Sequence, residues 1–278
     1  MKEDKNHKIL QSGENQSLNS NYIKPKQSAN ALFNFMQRLD YLKMILKNKA
    51  IIPRYFEEDI NYLGIEIGKI SIPVTCFCDI NLQRISSHTS EYGEYGIGLY
   101  KEWCVVQGIQ PIHYINERSK LVEDFRLAFN SALGYDSENS EVNNLQNYLF
   151  SHLFFIKPIL GDMKRSIKDE KVHLNFHDER EWRYIPKLAE INTELLPVLI
   201  FDQNNDKTRN LYNRALYDLS DAWMEISPDN IKYLIVKDKF DQVDLINYLS
   251  TEELNYTQKE KLYLISKIVI LEEISEDW

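Results

Sequence analysis

Cysteine is scarce: Cys76, Cys78 and Cys104 are the only three in 278 residues. A small, odd number builds no disulfide framework and fits a reducing compartment, where each acts as a small apolar residue. Long apolar runs are also missing. The longest, Leu195 to Phe201, is interrupted by Pro197 and falls far short of the ~20 residues a spanning helix needs. Met1 to Asn30 contains no apolar segment of the secretory type, so the expected location is cytoplasmic. Basic charge is in deficit. With 42 acidic against 33 basic residues and a net charge of −9, the chain lacks the broad phosphate attraction that drives nonspecific nucleic-acid binding. Hydrophobic residues at 43% and charged residues at 27% are those of a folding globular chain.

The first 30 residues are rich in Lys, Asn, Gln, Ser and Glu and carry little apolar periodicity to offset the entropy of ordering, so a disordered tail over 1–30 is expected. Residues 31–278 then read as one α+β domain, a mixed sheet with flanking helices. Leu32, Phe33 and Phe35 suggest a strand. Leu39, Leu42, Ile45 and Leu46 recur at spacings of three and four, which predicts a helix over 37–49 with one buried stripe. Glycine and proline punctuate 64–111, as short strands and tight turns require. Helical periodicity returns over 121–133 and 141–155, separated by a loop at 134–140. Val172, Leu174 and Phe176 alternate as a strand. Further strands are expected at 232–236 and 268–271, with a helix over 241–249. Ser250 and Glu253 have the spacing of a capping box for one more helix.

Two constellations carry chemistry. In Asp178-Glu179-Arg180-Glu181-Trp182-Arg183-Tyr184, a strand's period of two places Glu179, Glu181 and Arg183 on one face and Arg180, Trp182 and Tyr184 on the other. The pattern fits a half-buried strand with Trp182 and Tyr184 in the core and the charges toward a polar side. It also fits a carboxylate held rigidly to accept a hydrogen bond from a ribose hydroxyl and stabilise an oxocarbenium-like transition state. The second constellation runs from Cys76-Phe77-Cys78-Asp79 through His88 to Tyr92-Gly93-Glu94-Tyr95-Gly96-Ile97-Gly98 and Trp103. Its glycines permit close backbone approach to a flat ligand, and Tyr92, Tyr95 and Trp103 offer stacking faces. The run lacks the spacing of a dinucleotide or phosphate loop. Cys-x-Cys without a second pair is not a zinc spacing, so no metal is expected. No Gly-x-Ser-x-Gly elbow points to a serine hydrolase.

The segments Leu32-Phe33-Asn34-Phe35-Met36, Pro73 to Trp103, Lys157-Pro158 and Asp178 to Pro186 resemble the AbiGi family of abortive-infection proteins. That resemblance implies a cytoplasmic anti-phage component, the antitoxin member of a pair whose toxin is nucleotidyltransferase-like and encoded nearby. A looser similarity is to ADP-ribosyltransferase-like toxins, which would make the fold ADP-ribosyltransferase-like and NAD the cofactor. On that similarity Glu181 would be catalytic, Tyr92, Tyr95 and Trp103 would border the nicotinamide, and Arg54 or Arg183 would hold phosphate. Asn34 would stand where many such enzymes keep a ribose-binding histidine. A non-catalytic interaction module is the third reading.

Overall fold

The alternation of short β-branched runs with amphipathic stretches produces an α+β architecture. A computed structural model describes residues 22–134, 140–165 and 170–277. Nine strands form the main sheet among these residues. Its main path runs Ile268–Ile270, Ile231–Val236, Tyr95–Tyr100, Ala31–Met36, Lys69–Cys78, Glu181–Tyr184 and Gln110–Pro111. Neighbours pair antiparallel except the first two, which pair parallel. The mixed sheet with flanking helices is the expected architecture.

The long strand Lys69–Cys78 organises the molecule because its two halves have different neighbours. Its first half pairs with Arg54–Asp59 and Leu199–Ile200. Its last residues pair with Glu181–Tyr184, with Glu181 opposite Cys78 and Arg183 opposite Cys76. The opening strand Ala31–Met36 touches the long strand in register only at Phe33 and Cys78, while it pairs along its whole length with Tyr95–Tyr100. The sheet therefore splits beside Asn34.

Leu39, Leu42, Ile45 and Leu46 are the buried residues of the helix Leu39–Asn48, as the periodicity predicts. They pack with Leu32, Phe77, Ile97 and Leu234 on one sheet face. The opposite face gathers Phe33, Cys78, Ile80, Ile85 and Ile235. A separate cluster joins Ile60, Leu63, Ile70 and Ile72 to the helices Lys120–Leu133 and Ser140–Leu153. Both faces of the sheet are thus covered.

Several local expectations are corrected. Ser250 ends the helix Lys239–Ser250, its hydroxyl donating back to the Ile246 carbonyl at 2.8 Å. The capping box belongs instead to Thr257 and Glu260, which open Gln258–Ile265. Thr257 follows the chain's exit from the preceding helix, whereas Ser250 is still held inside it. Phe176 is not the end of a strand but the start of a 3₁₀ turn, Phe176–Glu179. Of the expected 1–30 tail, residues 1–21 lie outside the described residues, as does 135–139 of the expected loop. Within 22–30, Ala29 is buried and the Ser28 hydroxyl accepts from Lys101 Nζ at 2.9 Å.

A buried ionic cluster as the candidate functional site

The charged segment enters the sheet through a break, not as a continuous strand. Arg180 adopts a left-handed conformation, φ 44°, between the 3₁₀ turn and the strand that begins at Glu181. Period two therefore does not set Glu179; the turn swings its carboxylate back toward Glu181. The faces of the strand are also reversed from expectation. Glu181 and Arg183 are buried, at 7% and 0% exposure, while Trp182 and Tyr184 are half-buried. Alternation alone could not assign them, because apolar cover lies on both sides and Arg183 finds enough acceptors to be desolvated.

Arg183 donates from Nε to Glu181 at 2.6 Å, from one terminal nitrogen to Glu58 at 2.6 Å, and from the other to the Phe154 carbonyl at 2.7 Å. Lys157 bridges Glu179 at 2.7 Å and Glu181 at 3.1 Å. Tyr92 donates its hydroxyl to Glu179. The Glu181 backbone N–H donates to the Tyr114 hydroxyl at 2.8 Å. Three carboxylates thus face two cations, and Tyr92 supplies a neutral donor to the third.

The electrostatics follow from this geometry. Burial pushes the Glu181 carboxyl up, but Arg183 and Lys157 outweigh it and hold it well below the usual carboxylate range. Glu179 moves the other way: burial dominates the pull of Lys157, so its pKa is raised. Burial also opposes the charge on Lys157, yet Glu181 and Glu179 more than compensate and its pKa rises. His88 is driven down to about 4 by burial, against a weaker pull from Glu181. Its ring stacks on Tyr92 at 4.4 Å and leans on Phe35 at 5.5 Å.

Cys76 lines the same side of the long strand. It is exposed, not a core residue like Cys78 and Cys104, and pairs in register with Arg183 of the neighbouring strand. Dense surroundings raise the thiol pKa, chiefly by desolvation and next by the Glu181 charge, so it stays protonated and is a poor nucleophile.

Of the residues expected at a site, Glu181 and Arg183 meet directly, and Tyr92 joins them through Glu179. Asn34 stands at the split in the sheet and donates to the Cys76 carbonyl at 2.8 Å. The others lie elsewhere. Tyr95 donates to Asp241 at 2.8 Å, on the helix Lys239–Ser250. Trp103 packs against the core that contains Leu32 and Leu42. Arg54 is exposed at the start of its strand, opposite Val74. Gly96 and Gly98 make room for the protein's own rings: a Cβ at either would come within 2.8 Å of Phe35 or Phe33.

Both Glu181 oxygens accept from cations; of the residues assigned to nicotinamide and phosphate, Arg183 and Tyr92 join this cluster, whereas Tyr95, Trp103 and Arg54 hold other partners or positions. Among the described residues, no three His, Cys, Asp or Glu side chains come together to hold a metal ion. No helix among them is long and apolar enough to cross a membrane. Sequence reasoning missed Glu58 and Tyr114 as members of the cluster and gave Lys157 no role. Lys157 was the legible one, a lone cation between Phe154-Phe155-Ile156 and Pro158-Ile159-Leu160, where a charge is unlike its surroundings.

No solved structure matches this chain. A relative from Lactococcus lactis subsp. cremoris, "Abortive phage resistance protein AbiGi", is 33% identical over 254 residues, covering 82% of this chain and all of the relative. A family model described as "Putative abortive phage resistance protein AbiGi, antitoxin" matches residues 48–237, a span that holds Glu58, Lys157, Glu179, Glu181 and Arg183. The chain belongs to the AbiGi family of abortive phage resistance proteins.

Proposed function

We propose that this protein is the antitoxin member of an abortive-infection pair, restraining a nucleotidyltransferase-like toxin encoded beside it by binding or regulation, not by turnover of a substrate. Family membership supports the antitoxin role. The observation that carries the non-catalytic part is the closed state of Glu181: 7% exposed, with one oxygen held by Arg183 and the other by Lys157. A carboxylate that must receive a substrate hydroxyl needs an acceptor reachable from a cleft, and this one is almost out of solvent with a cation on each oxygen. The cluster instead ties three distant segments, at Glu58, Phe154-Lys157 and Glu179–Arg183, into one rigid unit.

One observation favours NAD-dependent ADP-ribosyl transfer as the alternative. The sheet splits between the opening and long strands next to Asn34 and the exposed Cys76, close to Glu181. Co-expression with the neighbouring toxin separates the two readings. Growth should recover with wild type and with any folded Glu181→Gln protein, with no nicotinamide released. Recovery that requires Glu181 and is accompanied by nicotinamide release would replace the antitoxin reading with the enzymatic one.

A further inference from the structure

Within the ionic cluster the charges do not cancel. Glu58, Glu179 and Glu181 bring three negative charges against two positive ones from Lys157 and Arg183, and none of the five side chains is more than 14% exposed. A buried surplus charge is unfavourable, and it is relieved most simply by a proton on the carboxylate that cations hold least. Glu181 meets both cations, and Glu58 accepts from Arg183 at 2.6 Å, a guanidinium that keeps its charge throughout. Glu179 has only a share of Lys157, and its other oxygen faces the neutral hydroxyl of Tyr92. That hydroxyl can accept as well as donate, so it offers a partner to the acid form.

The titratable groups facing Glu179 are Tyr92 at the end of the helix Ile85–Tyr92, Lys157 in the strand Ile156–Pro158, and Glu181 through the shared lysine. Around them stand Glu58, Arg183, Tyr114 on the Glu181 backbone, Cys76 opposite Arg183, and His88 stacked on Tyr92. The flanking His177, Asp178 and Arg180 are exposed. Glu179 closes the 3₁₀ turn Phe176–Glu179. The Phe176 ring of that turn lies 4.2 Å from Lys157 Nζ and packs so closely on Gly161 that a Cβ there would collide with it. The turn therefore joins the cluster to the hairpin of Leu160–Arg165 and Glu170–Asn175.

We propose that Glu179 is a proton switch: the folded cluster holds one proton on this carboxyl, hydrogen-bonded to the Tyr92 hydroxyl, and its loss as pH rises sets Glu179 against Glu181 and loosens the turn and the hairpin joined to it. The device belongs to the fold and is independent of the antitoxin reading. Burial raises the Glu179 pKa above its ordinary value, so between the two values the folded chain keeps a proton that the unfolded chain has released. Stability from this group is lost as pH rises through that window, by at most about tenfold in the folding equilibrium per pH unit.

Glu179→Gln imitates the protonated acid, its amide oxygen accepting from Lys157 and its nitrogen donating to Tyr92. Urea unfolding of wild type and variant from about pH 4.5 to 8 reads the switch: the variant's midpoint should exceed that of wild type by a margin that widens as pH rises and then levels off. In wild type labelled at glutamate, the Glu179 carboxyl resonance, identified by its absence from Glu179→Gln or Glu179→Asp, should titrate above the usual carboxylate range. Amide exchange, corrected for its own pH dependence, should quicken over Phe176–Glu179 and the hairpin strands of wild type across the same window, and not in Glu179→Gln. A margin that stays constant or shrinks with pH, a Glu179 carboxyl that titrates at or below about 4.3, or equal protection in the two proteins overturns the proposal.

Discussion

Arg183 is the residue on which the cluster depends, and Arg183→Met tests how. Methionine fills similar space but removes all three donated hydrogen bonds, leaving Glu58 and Glu181 without their shared cation and the Phe154 carbonyl without a donor. Removing one partner of a buried ion pair costs about 3–5 kcal/mol, because the remaining charge keeps its desolvation penalty. That is a large part of a stability of about 5–15 kcal/mol. With a urea slope of about 3 kcal/mol/M, the midpoint should fall by about 1–1.7 M. The cost arises from stranded charge, so Arg183→Met combined with Glu58→Gln and Glu181→Gln should be more stable than Arg183→Met alone by at least about 1 kcal/mol. Equilibrium urea unfolding followed by tryptophan fluorescence measures both. A single variant that loses less than about 1 kcal/mol, or a triple variant weaker than the single, refutes the reasoning.

Three further outcomes follow from local geometry. Gly93 has φ +122° and a Cβ there would lie 2.1 Å from the Met36 carbonyl oxygen, so Gly93→Ala should cost about 3 kcal/mol or more; thermal unfolding reads it, and a melting temperature near wild type contradicts it. His88 is neutral in the fold with its pKa near 4 against an ordinary 6.5. The unfolded chain therefore binds the extra proton, and stability should fall as pH drops from about 6.5 toward 4, by at most ~1.4 kcal/mol per pH unit from this group. His88→Gln should flatten urea-measured stability between pH 7 and 5, and an unchanged pH slope would count against the burial of the neutral ring. Thr257→Ala removes the reciprocal cap with Glu260 and should lose about 1 kcal/mol in urea unfolding, with Thr257→Ser retaining most of it.

The sequence made the helical stripes legible because each has a single apolar face: Leu39, Leu42, Ile45 and Leu46 could pack only one way. It was less informative on the charged strand, for a physical reason. Period-two alternation tells two faces apart but says which is buried only when one of them meets water, and here both are covered. The partners of Arg183 lie 125 residues away at Glu58 and 29 away at Phe154, separations that no local pattern encodes. The left-handed Arg180 was equally hidden, since arginine carries no signal for positive φ. Glu181 and Arg183 could be picked out as chemistry-bearing, but whether the carboxylate was free or saturated depended on Lys157 arriving from another segment. The tyrosine and glycine constellation divided for the same reason: Tyr92 and Tyr95 are three residues apart yet one serves Glu179 and the other Asp241.

The central claim, that the protein counters a toxin without chemistry at Glu181, is tested most directly by growth rescue scored beside nicotinamide release. Cells carrying the proposed nucleotidyltransferase-like toxin would receive wild type, Glu181→Gln or Glu179→Gln, each first shown to be folded. Glu181→Gln should be less stable than wild type, because its amide group meets a cation at one of the two positions where the carboxylate accepted, so growth is scored at a temperature where it remains folded. The account predicts recovery by all three proteins and no nicotinamide above the empty-vector level. Recovery by wild type alone, with nicotinamide release abolished in Glu181→Gln, would contradict it.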